Sequence, residues 1–143
     1  MVDAARPSIV NKPVTIKGCL GKYLSANSEE TYFCNTNRLL WEHWMILPSG
    51  NYYIIKSYRD GRNLGVDSNG LIHVRSTEEN ISEQWIIEKD PLVKDAYYFY
   101  NCYTNKVLQC NPKFIGITQN TNRQGWEQMV VEDVIPDTTY YKC

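Results

Sequence analysis

Histidine is nearly missing: His43 and His73 are the only two in 143 residues. Nucleophilic catalysis by Cys or Ser wants an imidazole beside it, and a zinc centre wants closely spaced Cys and His ligands. Cys34 could in principle meet either histidine but stands in no motif, and Cys102 and Cys110 have no paired histidine near them. No glycine loop of the phosphate-cradling kind is present. The carboxylate pairs Glu29-Glu30 and Glu78-Glu79 fall in polar, hairpin-like stretches and read as solvated charge. The chain reads as a non-enzymatic protein, with neither cofactor nor metal expected.

Charge of one sign is also lacking. The net charge is −1, which offers no bulk attraction to nucleic acid or anionic lipid. No apolar run approaches the roughly 20 residues of a membrane span. The start, "MVDAARPSIVNKP", lacks the apolar core of a secretory signal and has no Gly after Met to be myristoylated. Five cysteines without a C-x-x-C read as reduced thiols, so a cytoplasmic location is expected. No stretch patterns as an amphipathic helix of ordinary length. What the chain does have is 13% aromatic residues and eleven tyrosines, as in loop-rich β structure and recognition surfaces.

It also repeats itself. "WEHWMIL", "SEQWIIEKD" and "WEQMVVED" bring Glu42, Glu83 and Glu127 into register at steps of 41 and 44 residues. Leu24 in "GKYLSA", Leu64 in "GRNLGV" and Leu108 in "NKVLQC" then precede Trp44, Trp85 and Met129 by 20 or 21 residues. "VTIKG", "YIIKS" and "YFYNC" lie ahead of these, and "TYFCN", "LIHVR" and "FIGIT" between. Each unit therefore offers four short strands. Gly21, Gly61 and Asn105 fall at equivalent hairpin positions, where tolerance of positive φ is needed. In "LIHVR", alternation puts Leu71, His73 and Arg75 opposite Ile72 and Val74.

Three four-stranded units fit either a β-trefoil or three propeller blades, and propellers close with about four or more. The expected fold is an all-β trefoil spanning residues 12–134, with lobes of about 12–50, 51–92 and 93–134. Residues 1–11 form an N-terminal arm and 135–143 a C-terminal tail. Leu24, Leu64, Leu108, Trp44, Trp85 and Met129 are expected in its shared core.

"GKYLSAN" followed by "WEHWMIL", then "GRNLGVDSNG" followed by "SEQWIIE", resembles the fascin-like and hisactophilin-like β-trefoils, a family of actin-cross-linking modules. The third lobe departs from the pattern, with Asn105 for Gly and Met129 for Trp, and the clustered histidines of hisactophilin-like members are missing. The resemblance implies an actin filament as partner. Its acidic surface would be met by basic side chains on exposed turns: Lys22, Arg59, Arg62, Arg75 and Lys106.

A glycan is the alternative partner. The ricin B-type β-trefoil lectins are a more distant resemblance, marked by Q-x-W where this chain has Glu. Sugar sites stack an aromatic face on a ring and bond its hydroxyls through Asn, Asp or Gln. Such groups cluster in "NCYTN", "VDSNG" and "NTNRQGW". Trp41 and Trp126 each sit three residues before a core position and are expected to face outward, with Ser82 their counterpart in lobe two. Protease inhibition by a protruding loop is a third possibility. No reactive loop stands out, and any insertion in the third unit falls around "KDPLVKDA".

Overall fold

The computed structural model describes residues 9–18, 21–26, 32–35 (backbone only), 40–111 and 116–134. The first lobe holds β1 (Pro13–Lys17), β2 (Tyr23–Ser25), β3 (Tyr32–Asn35) and β4 (Trp44–Ser49). The second holds β5 (Tyr52–Ser57), β6 (Asn63–Val66), β7 (Ile72–Ser76) and β8 (Trp85–Lys89). The third holds β9 (Ala96–Asn101), β10 (Lys106–Cys110), β11 (Gly116–Asn120) and β12 (Met129–Asp133).

Antiparallel pairing runs β1–β4–β5–β8–β9–β12 and back to β1, so six strands close a barrel with no free edge. The remaining strands form three hairpins, β2–β3, β6–β7 and β10–β11, one to a lobe. Each hairpin pair carries a register shift just before its core leucine. The chain is a β-trefoil.

Leu24, Leu64, Leu108, Trp44, Trp85 and Met129 are all fully buried. Each Leu or Met so buried contributes roughly 1.5–3 kcal/mol. An indole buried this deeply needs a partner for its N–H. Trp44 Nε1 donates to the Leu24 carbonyl at 3.0 Å, and Trp85 Nε1 to the Leu64 carbonyl at 2.9 Å. Met129 fills the third position with no donor to satisfy. Between the first two strands of each lobe, Gly21, Gly61 and Asn105 have φ of 82°, 74° and 57°, the left-handed turn conformation their equivalence implies.

The repeated glutamate proves to be a buried clamp. Glu42, Glu83 and Glu127 are buried at the end of a short turn that leads into the last strand of each lobe. One oxygen accepts the backbone N–H that opens the turn: Asn80 to Glu83 and Gln124 to Glu127, both at 3.1 Å. The other reaches the residue after the core leucine: Ser25 Oγ donates to Glu42 at 2.6 Å, Gln109 Nε2 to Glu127 at 2.8 Å. In lobe two that residue is Gly65, and Ser82 Oγ donates to Glu83 instead.

The last three residues of the expected N-terminal arm pack against the barrel. Ile9 joins the core, Val10 bridges Ile46, and the Asn11 N–H donates to the Ile46 carbonyl at 2.9 Å. His73 is buried, although Leu71 and Arg75, two residues to either side of it, are exposed. A side chain on Gly65 would lie 2.7 Å from Glu83 Oε2 and 3.0 Å from His73 Cε1, so the bare strand lets Glu83 fold down over the ring. Burial first, then the Arg75 guanidinium, holds the His73 pKa below its ordinary value. The C-terminal tail, Glu29, Glu30 and the side chain of Cys34 lie outside the described residues. Cys102 is a free thiol, and the Cys110 thiol donates to the Asn111 carbonyl at 3.9 Å.

The longer third unit has its extra chain where expected, between β8 and β9. Asp90 organises it: its carboxylate accepts from the N–H groups of Leu92 (2.8 Å) and Val93 (2.9 Å) and from the Tyr98 hydroxyl. The Tyr98 bond, followed by those two N–H groups, holds the Asp90 carboxyl well below the usual carboxylate range.

Gln109→Ala leaves a buried carboxylate oxygen of Glu127 without its donor, and should cost about 1–3 kcal/mol as read from the urea midpoint. Asp90 supplies a second expectation. A depressed folded-state pKa gives stability that is present above the ordinary carboxylate pKa of about 4 and lost as pH falls below it. Melting temperatures taken from pH 6 to pH 2 should therefore fall less steeply for Asp90→Asn than for the parent protein.

Candidate functional site

The turn that carries each buried glutamate also places the residue before it. With Glu42 and Glu127 drawn inward, Trp41 and Trp126 are turned out, exposed by 44% and 45%. Their outward aim comes from this tight turn and not from strand alternation. Their backbones are fixed, because an N–H at or just past the end of the second strand of the same lobe donates to each tryptophan carbonyl: Ala26 N–H to Trp41 at 2.8 Å, Cys110 N–H to Trp126 at 2.9 Å.

The two indoles then differ. The Arg59 guanidinium lies 5.4 Å above the centre of the Trp41 ring and covers that face. Trp126 has no cation over it among the described residues. It stands at the mouth of a cleft of about 360 Å³, walled by Asn120, Asn122 and Gln124 with Gln109 and Glu127 beneath. Nothing lies within 4 Å of the side-chain direction of Gly125, so that side stays open.

The loop forming this cleft is held at several points. The Asn122 N–H donates to Asn120 Oδ1 at 3.0 Å, making an Asx turn. Arg123 grips Glu88 of β8 with two bonds, Nε at 3.0 Å and NH2 at 2.9 Å, and its NH1 donates to the Thr121 carbonyl. The bond from Arg123 lowers the Glu88 pKa, which keeps this surface pair charged. This framework holds the backbone that carries Trp126 and the neighbouring amide residues.

The basic residues are placed differently. Arg59 and Arg62 share the β5–β6 turn with Asp60, whose carboxylate stands 3.7 Å from Arg59 NH1 and 4.0 Å from Arg62 Nε. Arg75 projects from β7 and is exposed. Lys22, Arg62 and Lys106 occupy threefold-related positions two residues before the core leucines, one in each lobe. Asp60 thus divides the charge that a continuous basic stripe would need.

Of the residues singled out in the sequence, Trp126 and the Asn-rich loop beside it line this cleft. Gln109, a strand residue in "NKVLQC", and Glu127, legible only as part of a repeat, line it as well. Both turns of the other two Asn-rich clusters meet at a second cleft, lined by Ser68, Asn69, Gly70, Tyr103, Thr104 and Lys106 with Thr118.

No family model matches the chain, and no curated protein matches it. Solved structures do. The BEL β-trefoil aligns with a TM-score of 0.76 at 14% identity, over 90% of this chain and 98% of that one. The designed threefold-symmetric protein ThreeFoil aligns at 0.70 and 15% identity, over 85% and 99%. SeviL, solved bound to asialo-GM1 saccharide, aligns at 0.68 and 15% identity, over 87% and 98%. At these identities what is shared is the fold, a β-trefoil spanning nearly the whole of each chain.

Proposed function

We propose that the protein is a non-enzymatic carbohydrate-binding module, and that its third lobe carries a sugar site. The observation that supports this is the uncovered face of Trp126 above a cleft of amide side chains. A pyranose presents a patch of C–H bonds on one face and hydroxyls around its rim. The indole suits the first, and Asn120, Asn122 and Gln124 suit the second, each offering both a donor and an acceptor. The same fold holds asialo-GM1 saccharide in SeviL, which is consistent with this reading.

The actin-filament reading implied by the fascin-like resemblance draws less support. Its strongest candidates, Arg59 and Arg62, flank one carboxylate, and Arg59 is engaged on Trp41. Partly screened surface charge of this sort is worth little to an interface.

A glycan array with the purified protein tests the proposal, with Trp126→Ala alongside. Loss of the indole face should weaken binding about tenfold, the equivalent of a stacking interaction near 1.5 kcal/mol. The urea midpoint should hardly move, since Trp126 is a surface side chain. Binding that survives Trp126→Ala unchanged, or pelleting with F-actin in place of any glycan binding, would overturn the assignment.

A further inference from the structure

A second cleft of about 340 Å³ opens where the lobe-two hairpin meets lobe three. Two rigid turns form its walls. In the β6–β7 turn, Asp67 Oδ1 accepts the N–H groups of Asn69 at 2.8 Å and Leu71 at 3.0 Å. In the β9–β10 turn, Asn101 Oδ1 accepts those of Tyr103 at 3.0 Å and Thr104 at 3.1 Å. The floor is a main-chain joint: the Thr118 N–H donates to the Gly70 carbonyl at 2.8 Å, and Leu71 bridges Ile117. A side chain on Gly70 would come within 2.6 Å of the Thr118 carbonyl oxygen, so only glycine allows the two hairpins to close on one another.

The lining differs in charge from the Trp126 cleft. That cleft contains no cation and has a carboxylate beneath it. Here Lys106 stands exposed on the wall, and among the described residues its ammonium makes no ion pair. Around it are the hydroxyls of Ser68 and Thr104, the amide of Asn69, and Tyr103, a residue 45% exposed. An unpaired cation, an open aromatic face and a ring of hydroxyl and amide groups together match a sugar that carries a negative charge. The two clefts adjoin on β11, which gives Thr118 to one and Asn120 to the other, roughly 7 Å along the strand.

We infer that this second cleft binds an acidic sugar residue, with Lys106 receiving its carboxylate or sulfate and Tyr103 its ring. The inference rests on the glycan-binding reading and adds to it a class of ligand: neutral residues at Trp126, acidic ones at Lys106.

The test uses the whole protein against matched pairs of oligosaccharides, such as sialyllactose or sulfated lactose beside lactose, printed with a broad set of similar pairs. The parent protein should favour the acidic members by about fivefold at low salt, as expected for an exposed charge pair. That preference should shrink as ionic strength rises. Lys106→Gln, which keeps most of the aliphatic stem, should bind acidic and neutral members alike, with an unchanged urea midpoint. Tyr103→Ala should weaken binding of the acidic members more than the neutral ones. Equal binding of both members by the parent protein, or a preference that survives Lys106→Gln, overturns the Lys106 assignment and leaves the Trp126 site standing. If no glycan of either kind binds, both assignments fall together.

Discussion

The placement of Trp41, Trp44, Trp85 and Trp126 in this barrel depends on a carboxylate held out of water. A buried glutamate is costly unless its oxygens are bonded. Here they are used to tie the opening of a turn to the second strand of the same lobe, as in the bonds from Gln124 N–H and Gln109 Nε2 to Glu127. Once the carboxylate is fixed, the residue before it must face solvent and the residue two after it must enter the core. Trp126 outside and Met129 inside follow from one set of bonds, as do Trp41 and Trp44.

The threefold frame and the candidate site place opposite demands on the sequence. The frame asks for sameness: leucine, glutamate and a large core residue at each turn of the repeat. The site asks for difference. Lobe two has Ser82 and Gly65 where lobe three has Trp126 and Gln109, and so it has neither an exposed indole nor a polar floor. Lobe one has its indole, but Arg59 occupies the ring. Only in lobe three, among the described residues, do an open aromatic face and a set of amides coincide.

This division explains what could be read from the chain. The repeated Leu24, Leu64 and Leu108, with Trp44, Trp85 and Met129, were legible because a shared core imposes the same chemistry three times. The positive-φ turn positions were legible for the same reason, even where Asn105 replaces glycine. His73 was not, because its burial depends on what Gly65 lacks and on a glutamate eighteen residues from that glycine. Gln109 was equally hidden, since its partner Glu127 is distant in sequence and a strand glutamine signals nothing alone. The exposure of Trp41 was foreseen, but the guanidinium that covers it arises from a turn in the next lobe. Pairings across lobes have no local signature.

The strand that closes the barrel joins its two extremes. β1 lies against β12, with Val14 opposite Asp133, and the Val134 N–H donates to the Pro13 carbonyl at 3.1 Å. Chain entering the barrel and chain leaving it are thus neighbours, roughly 5 Å apart on adjacent strands. A domain with this geometry fits into a single loop of a host protein without prising that loop open. It also means that tension applied between those two points would peel one strand pair from its end, hydrogen bond by hydrogen bond.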